Sequence, residues 1–191
     1  MAIYIARHGQ TDWNVQTRIQ GRTDIELNET GINQAYQTRE ILLPEKIDLI
    51  ITSPLKRAFK TANIINEGRD IPLVVEERVA ERNFGKYEGM NFKDLTLDDT
   101  WNVRENSPIE SAEGIRDFFL RIYGFLDFAT KEYINKNILI VAHGGVSIPF
   151  DCYFNGIPES KFDMFGLILD NCKFRKYDYD ESIFNAVRTL D

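Results

Sequence analysis

The chain contains two histidines, and each closely follows a short apolar segment typical of a buried strand. His8 lies two positions after residues 3–6, and His143 lies directly after residues 138–142. A glycine follows each imidazole and lets a ligand approach the backbone. Ligands of open α/β sheets bind outside the carboxyl ends of the strands. If these two strands are neighbours, both imidazoles therefore lie at one crevice.

Two arginines occupy equivalent places in the sequence. Arg7 adjoins His8, and Arg57 lies in the first turn of a helix that follows the strand-like residues 48–52. A planar guanidinium fits two phosphoryl oxygens at once, and a helix N-terminus adds free N–H groups. Nearby positive charge also lowers the pKa of an imidazole, which keeps His8 neutral and nucleophilic. The set predicts a pocket for a phosphoryl dianion.

The elements that must position these side chains alternate along the chain. Short β-branched or apolar segments alternate with helix-like ones, which predicts an α/β fold with a mainly parallel sheet and helices on both faces. The predicted strands are residues 3–6, 48–52, 71–75 and 138–142. The first predicted helix has its N-cap at Asn28 and includes Tyr36 in its buried apolar stripe. The second opens at Ser53-Pro54, and two more run over 111–133 and 145–154. Residues 167–190 are predicted as extended segments at a sheet edge, turning around 178–181.

Residues 76–110 form the least regular stretch. The stretch is polar and carries an acidic cluster (Asp94, Asp98, Asp99) and scattered large apolar groups (Phe84, Phe92, Trp101). Long irregular insertions in compact α/β domains are usually functional, which favours a cap over the active site. A solvated excursion is the alternative. We therefore predict one domain over residues 1–191, with 76–110 as a cap or lid within it.

Charge and composition exclude several partners. The 191 residues carry a net charge of −7 and contain no basic run, so the surface repels nucleic acid and anionic lipid. No apolar stretch approaches the roughly 20 residues of a membrane span, and no signal-peptide pattern precedes the first strand. Cys152 and Cys172 lie in apolar contexts and are predicted to be reduced, which favours the cytoplasm. The sequence gives no indication of oligomeric state.

Four segments, in order, resemble the motifs of the histidine phosphatase superfamily, also called the phosphoglycerate mutase-like family. They are RHGQTDWN at 7–14, SPLKRA at 53–58, ERNFG at 81–85 and AHGG at 142–145. The Gln20-Gly21 pair also matches. From the first to the last, the motifs span residues 7–145, which is most of the chain. The resemblance implies a three-layer α/β/α sandwich and chemistry that requires no metal or cofactor.

The resemblance also implies a role for individual residues. His8 would accept the phosphoryl group, while Arg7, Arg57 and His143 would hold its oxygens. Glu81, which follows a strand end expected at 78–80, would be the proton donor. Glu88 is a second carboxylate in the same segment, but it precedes Gly89 in an expected turn, where it could pair with a backbone N–H or a cation. The phosphate pocket would be lined by the remaining matching positions: Asn14, Gln20, Gly21 and Gly144. The implied substrate is a small phosphorylated metabolite.

Hydrolysis competes with phosphoglycerate mutase activity as the predicted reaction. Family mutases carry a lysine in a Gly-Leu-Asn-Lys segment, whereas this chain has Phe92 in that place. The cap also lacks the adjacent arginine pair of mutases and offers only Lys93 and Arg104. Both departures favour a phosphomonoester hydrolase acting through phosphohistidine. Two further hypotheses are a metal-dependent hydrolase using His8, His143, Asp12 and a further carboxylate, and a non-catalytic phospho-ligand binding module.

Overall fold

The architecture was obtained from a computed structural model, which describes residues 1–94, 111–159 and 164–180. Five strands form one sheet in the order β3-β2-β4-β1-β5. They are β1 (Ala2–Arg7), β2 (Leu49–Thr52), β3 (Leu73–Val75), β4 (Ile138–Ala142) and β5 (Phe174–Asp178). The first four run parallel, and β5 pairs antiparallel with β1 at the edge. The predicted mainly parallel sheet is confirmed.

Helices cover both faces of the sheet. They are α1 (Asp12–Val15), α2 (Glu29–Leu42), α3 (Lys56–Asn66), α4 (Ile115–Glu132) and α5 (Ser147–Asn155). Alternate residues of each central strand join different cores, because successive side chains of a strand point to opposite faces. Ile3 and Ile5 pack with α4 and α5, whereas Ala2, Tyr4 and Ala6 pack on the α3 side. The fold is therefore the expected three-layer α/β/α arrangement.

The Ser53-Pro54 step does not open α3, contrary to the prediction. The backbone N–H of Ser53 still donates to the Val141 carbonyl, which continues the ladder between β2 and β4. Leu55 is the N-cap residue, and the helix begins at Lys56. Extending the strand pairing by one residue therefore delays the helix, and Arg57 remains in its first turn.

Two smaller expectations are also corrected. Residues 78–80, expected as a strand end, belong to a 3₁₀ turn (Glu77–Val79) that the Glu76 carboxylate caps by accepting from the Arg78 N–H. Tyr36, expected in the buried stripe of α2, is 41% exposed. Asn28 does cap α2, accepting from the Gly31 N–H at 2.9 Å.

The cap prediction falls only partly on the described chain. Residues 76–94 run as short 3₁₀ turns (Glu77–Val79, Gly85–Tyr87, Phe92–Asp94) joined by irregular backbone. Asp98, Asp99, Trp101 and Arg104 lie outside the described residues, as do 181–190. Among the described helices, none is both long and apolar enough to cross a membrane.

Candidate active site

The two histidines meet because β1 and β4 are paired neighbours. In the register of this pair Arg7 lies opposite Ala142, so the carboxyl ends of the two strands lie side by side. The His8 N–H donates to the Ala142 carbonyl at 3.0 Å. The two imidazole centroids are 5.2 Å apart and edge to face. The sequence predicts one shared crevice if these two strands are neighbours, and the pairing of β1 with β4 meets that condition.

The hydrogen bonds of His8 define which ring nitrogen is available. Its Nδ1 lies 2.7 Å from the Gly9 carbonyl oxygen, which can only accept, so Nδ1 carries the proton. Its Nε2 accepts from the Arg57 Nε–H at 3.2 Å. Burial lowers the pKa of His8 well below its ordinary value, and the charges of Arg57 and Arg7 lower it further. His8 is therefore neutral with its lone pair on Nε2.

Arg57 ties the histidine to the loop of residues 20–24. Its Nη1 and Nη2 donate to the carbonyls of Thr23 and Gly21 at 2.8 and 2.7 Å, while Nε reaches His8. Burial lowers the pKa of Arg57 to about 10, so it stays charged at neutral pH. The fully buried guanidinium is fixed in one orientation, with its Nε–H directed at His8 Nε2.

Arg7 supplies the second cation at the floor of the crevice. Its Nη1 donates to the Leu169 carbonyl at 2.8 Å, and its Nε is buried without a protein partner. Gly144 packs on the guanidinium so closely that an added Cβ would lie 3.1 Å from the arginine Cζ. A buried donor without an acceptor has lost its hydrogen bonds to water and destabilises the fold. The Nε–H is therefore a group that a bound anion would satisfy.

Glu81 is half-buried beside the turn that contains Gly144 and Gly145. Its carboxylate accepts from the Arg82 and Gly145 N–H groups at 2.9 and 3.0 Å. Burial raises its pKa, although those hydrogen bonds and the two arginines pull the pKa down. A Cβ at position 145 would come within 2.3 Å of Glu81 Oε1, so any other residue there would displace the carboxylate from its present position. The Glu81 carboxyl group thus lines the cleft, with a pKa raised by burial.

Glu88 has a different environment. Its carboxylate accepts from the N–H groups of Arg22, Thr23 and Phe84 at 2.9, 2.8 and 3.1 Å. The loop carrying Gly21, whose φ is +51°, is therefore held by Glu88 from one side and by Arg57 from the other. These contacts give Glu88 the anchoring role that its turn position indicated.

The remaining predicted pocket residues also reach the crevice. The side-chain oxygen of Asn14 accepts from the Thr11 N–H at 3.0 Å and from Asn171 at 3.3 Å, which leaves its amide nitrogen to donate. Gln20 is 9% exposed, and its Oε1 is buried without a partner. Asn14, Gln20, Gly21 and Gly144 all line the cleft. His143 is fully buried beside it.

Three residues that sequence reasoning missed support the histidines. Ser53 Oγ lies 2.7 Å from His143 Nε2. Thr61 Oγ1 accepts from the Gly9 N–H at 3.1 Å, and Asn171 donates to the His8 carbonyl at 3.0 Å. Ser53 and Thr61 lie in or directly after the second motif, so that motif was the available signal. Asn171 had no comparable signal, because it lies far from every motif.

We predict that both imidazoles hold their proton on Nδ1. Ser53 Oγ already accepts from the Leu55 N–H, so its own proton is free to be donated to His143 Nε2. ¹⁵N-histidine NMR resolves this directly, because the chain has only two histidines. Ser53→Ala should change the tautomer balance of His143 and leave His8 unchanged. Finding the His143 proton on Nε2 in the unaltered protein would contradict the assignment.

The cleft that collects these groups has a volume of about 170 Å³. This is smaller than the roughly 300–1,000 Å³ of pockets for drug-sized ligands. Polar groups form one end, and the walls are largely apolar: Ile19, Phe84, Phe92, Phe165 and Ile168. Within residues 1–94, 111–159 and 164–180, no three His, Cys, Asp or Glu side chains gather as a metal-binding group. The geometry suits a small phosphorylated molecule.

Comparisons with known proteins agree with this geometry. The family described as histidine phosphatase superfamily (branch 1) matches residues 3–191. The uncharacterized phosphatase PhoE of Bacillus subtilis is 44% identical over 143 residues, which is 75% of this chain and 72% of that protein. A probable phosphoglycerate mutase of Yersinia pestis is 31% identical over 191 residues, covering 95% and 86%. The crystal structure of a putative α-ribazole-5′-phosphate phosphatase from Escherichia coli superposes with a TM-score of 0.82 at 27% identity, covering 95% and 91%.

Proposed function

The chain belongs to the histidine phosphatase superfamily, and from this we propose that it is a phosphomonoester hydrolase acting through a phosphohistidine at His8. The observation that carries the proposal is the state of this imidazole. It is neutral, its lone pair is on Nε2, and the Arg57 Nε–H lies 3.2 Å from that atom. A nucleophile beside a fixed cation is the arrangement that phosphoryl transfer requires.

In the first half-reaction, His8 Nε2 forms a bond to phosphorus as the bond to the leaving oxygen breaks. Arg57 and Arg7 neutralise the phosphoryl oxygens, with the orphaned Arg7 Nε–H satisfied by one of them. The amide of Asn14 and the Nδ1–H of His143 are the neutral donors we assign to the same oxygens. Glu81 gives its proton to the leaving oxygen, which departs as an alcohol.

In the second half-reaction, water attacks phosphorus from the side that the alcohol has left. Glu81, now a carboxylate, takes one proton from that water. The phosphorus–nitrogen bond breaks, the electron pair returns to His8 Nε2, and inorganic phosphate leaves. Because arginines supply the positive charge that phosphoryl transfer needs, we infer that turnover proceeds without a metal.

A phosphate-release screen in the presence of a chelator tests the proposal. The panel is phosphoserine, a sugar phosphate, a nucleoside monophosphate, α-ribazole phosphate and p-nitrophenyl phosphate. We expect release from at least one metabolite after prolonged chelation, and inhibition by vanadate, which can adopt the five-coordinate geometry of the transition state. Activity that disappears on chelation and returns with zinc or magnesium would move the assignment to a metal-dependent hydrolase.

Phosphoglycerate mutase activity is the second candidate, because a relative named as a probable mutase covers 95% of the chain. A mutase must hold a phosphorylated acid while shielding phosphohistidine from water. Here Phe92 lines the cleft and is 45% exposed. We expect 2,3-bisphosphoglycerate not to induce efficient interconversion of the phosphoglycerates. Isomerisation far faster than phosphate release from every ester would reassign the protein as a mutase.

A further inference from the structure

The cleft contains a third arginine that the proposed chemistry does not use. Arg18 is exposed and lines the cleft, whereas Arg7 and Arg57 are held near buried His8. Because His8 is 3% exposed, it marks the floor of the cleft, and Arg18 marks its mouth. A substrate phosphorylated at the floor extends its leaving group toward Arg18.

The backbone of Arg18 is fixed, but its guanidinium has no anionic partner among the described residues. Its N–H donates to the Trp13 carbonyl at 2.9 Å, and the residue forms an isolated β-bridge with Asn91. The guanidinium lies 5.9 Å from the Trp13 ring centroid. By contrast, exposed Arg22 and half-buried Arg78 each have a carboxylate within 4 Å. Arg18 is thus an anchored cation with its planar donor fork available.

A second polar group in the same cleft also lacks a partner. Gln20 lies two residues after Arg18, lines the cleft, and leaves its Oε1 buried and unpaired. A buried acceptor without a donor is costly until a ligand supplies one. A leaving group that carries an N–H or O–H donor would satisfy it. Both observations point to a polar alcohol rather than a purely apolar one.

Resting on the proposed phosphatase activity, we propose that Arg18 binds a carboxylate on the leaving group. The preferred substrates are then phosphomonoesters of small hydroxy acids, with a second donor such as an ammonium group near Gln20. One guanidinium matches one carboxylate in a bidentate pair. A second phosphoryl dianion would place two charges against a single cation, so the geometry favours the singly charged group.

The test compares two esters that differ only by the carboxylate. O-phosphoserine carries the carboxylate, and O-phosphoethanolamine lacks it. The reference ester, p-nitrophenyl phosphate, has neither the carboxylate nor the ammonium group. Arg18→Met keeps a long unbranched side chain but removes the guanidinium and its charge. We expect this variant to lose about tenfold in kcat/KM for phosphoserine, which is the loss of about 1.4 kcal/mol of binding, mostly through KM. The other two esters should change less than about twofold.

Two further variants separate recognition from a general effect of charge. Lys93→Gln removes an exposed cation that does not line the cleft and should leave the ratio between the two esters unchanged. Arg18→Lys keeps the charge but loses the planar fork, so it should retain part of the preference. An unaltered ratio in Arg18→Met, or equal losses on both esters, would overturn the carboxylate site. No phosphate release from any ester would instead overturn the phosphatase activity on which it rests.

Discussion

His8→Ala is expected to abolish turnover of every phosphate ester, with a loss of roughly 10⁴-fold or more. The reason is that the substitution removes His8 Nε2, the atom whose lone pair faces the fixed Arg57 cation. The Arg57 Nε–H would then lose its partner at 3.2 Å. The cation would remain in place, because its Nη groups are still bound to the Gly21 and Thr23 carbonyls.

The measurement is the covalent label itself. Rapid quench of the substrate-saturated protein into base preserves phosphohistidine, and mass spectrometry of the peptides locates it. We expect the label on His8 and none on His143. Thr61→Ser is a mild control, because it keeps the hydroxyl that accepts from the Gly9 N–H. An active His8→Ala variant, together with a wild-type protein that is never labelled at His8, would end the phosphohistidine mechanism.

Glu81→Gln should slow the first step for an alkyl phosphate by about 10²–10⁴-fold, the usual contribution of a general acid. An alkoxide must receive a proton as it leaves, whereas p-nitrophenolate scarcely needs one. The loss for p-nitrophenyl phosphate should therefore be much smaller. First-step rates require rapid quench, because the same carboxylate activates water in the second step and that step becomes limiting in the variant.

The dependence on pH gives a second readout of the same carboxyl group. Burial raises the pKa of Glu81, so the proton persists to higher pH than in an ordinary glutamate. First-step rates with an alkyl ester should fall as pH rises through this raised pKa, and Glu81→Gln should lack that decline. The His8 pKa is lowered, so the nucleophile stays unprotonated until the pH falls below the ordinary histidine range. The optimum should therefore lie on the acidic side.

Glu88→Gln is the matched comparison. An amide nitrogen in place of a carboxylate oxygen would face the N–H donors of Arg22, Thr23 and Phe84. We expect a lower melting temperature and similar losses on all esters, independent of the leaving group. If Glu88→Gln showed the leaving-group dependence and Glu81→Gln did not, the proton donor would be Glu88.

The parts of the fold that were predictable are those encoded locally. Ile138–Ala142 was located to the residue, because a parallel strand buried on both faces is a continuous apolar run. The N-cap at Asn28 was equally local, since its side chain bonds only three residues ahead. The start of α3 is not encoded locally, because it depends on the Ser53 N–H pairing with the Val141 carbonyl in a distant part of the chain.

The candidate site also contains residues that local patterns reveal and residues that depend on long-range contacts. His8 and Arg57 were found because each follows a strand end, which any strand prediction reveals. Asn171 was not found, since its contact with the His8 carbonyl spans 163 positions and its own segment has no periodic pattern. The free guanidinium of Arg18 was also invisible, because whether a cation is paired depends on which carboxylates fold next to it.

The position of β1 within the sheet has a consequence for biosynthesis. This strand lies between β4 and β5, and both partners follow it in the chain by more than half of the described sequence, so β1 leaves the ribosome well before either of them. Pairings so distant in sequence are slow to form. During that wait the apolar residues of β1 are exposed and prone to aggregation. His8 is thus synthesised well before the strand that brings His143 beside it, and under the proposed mechanism no nascent chain can transfer phosphate before β4 has emerged.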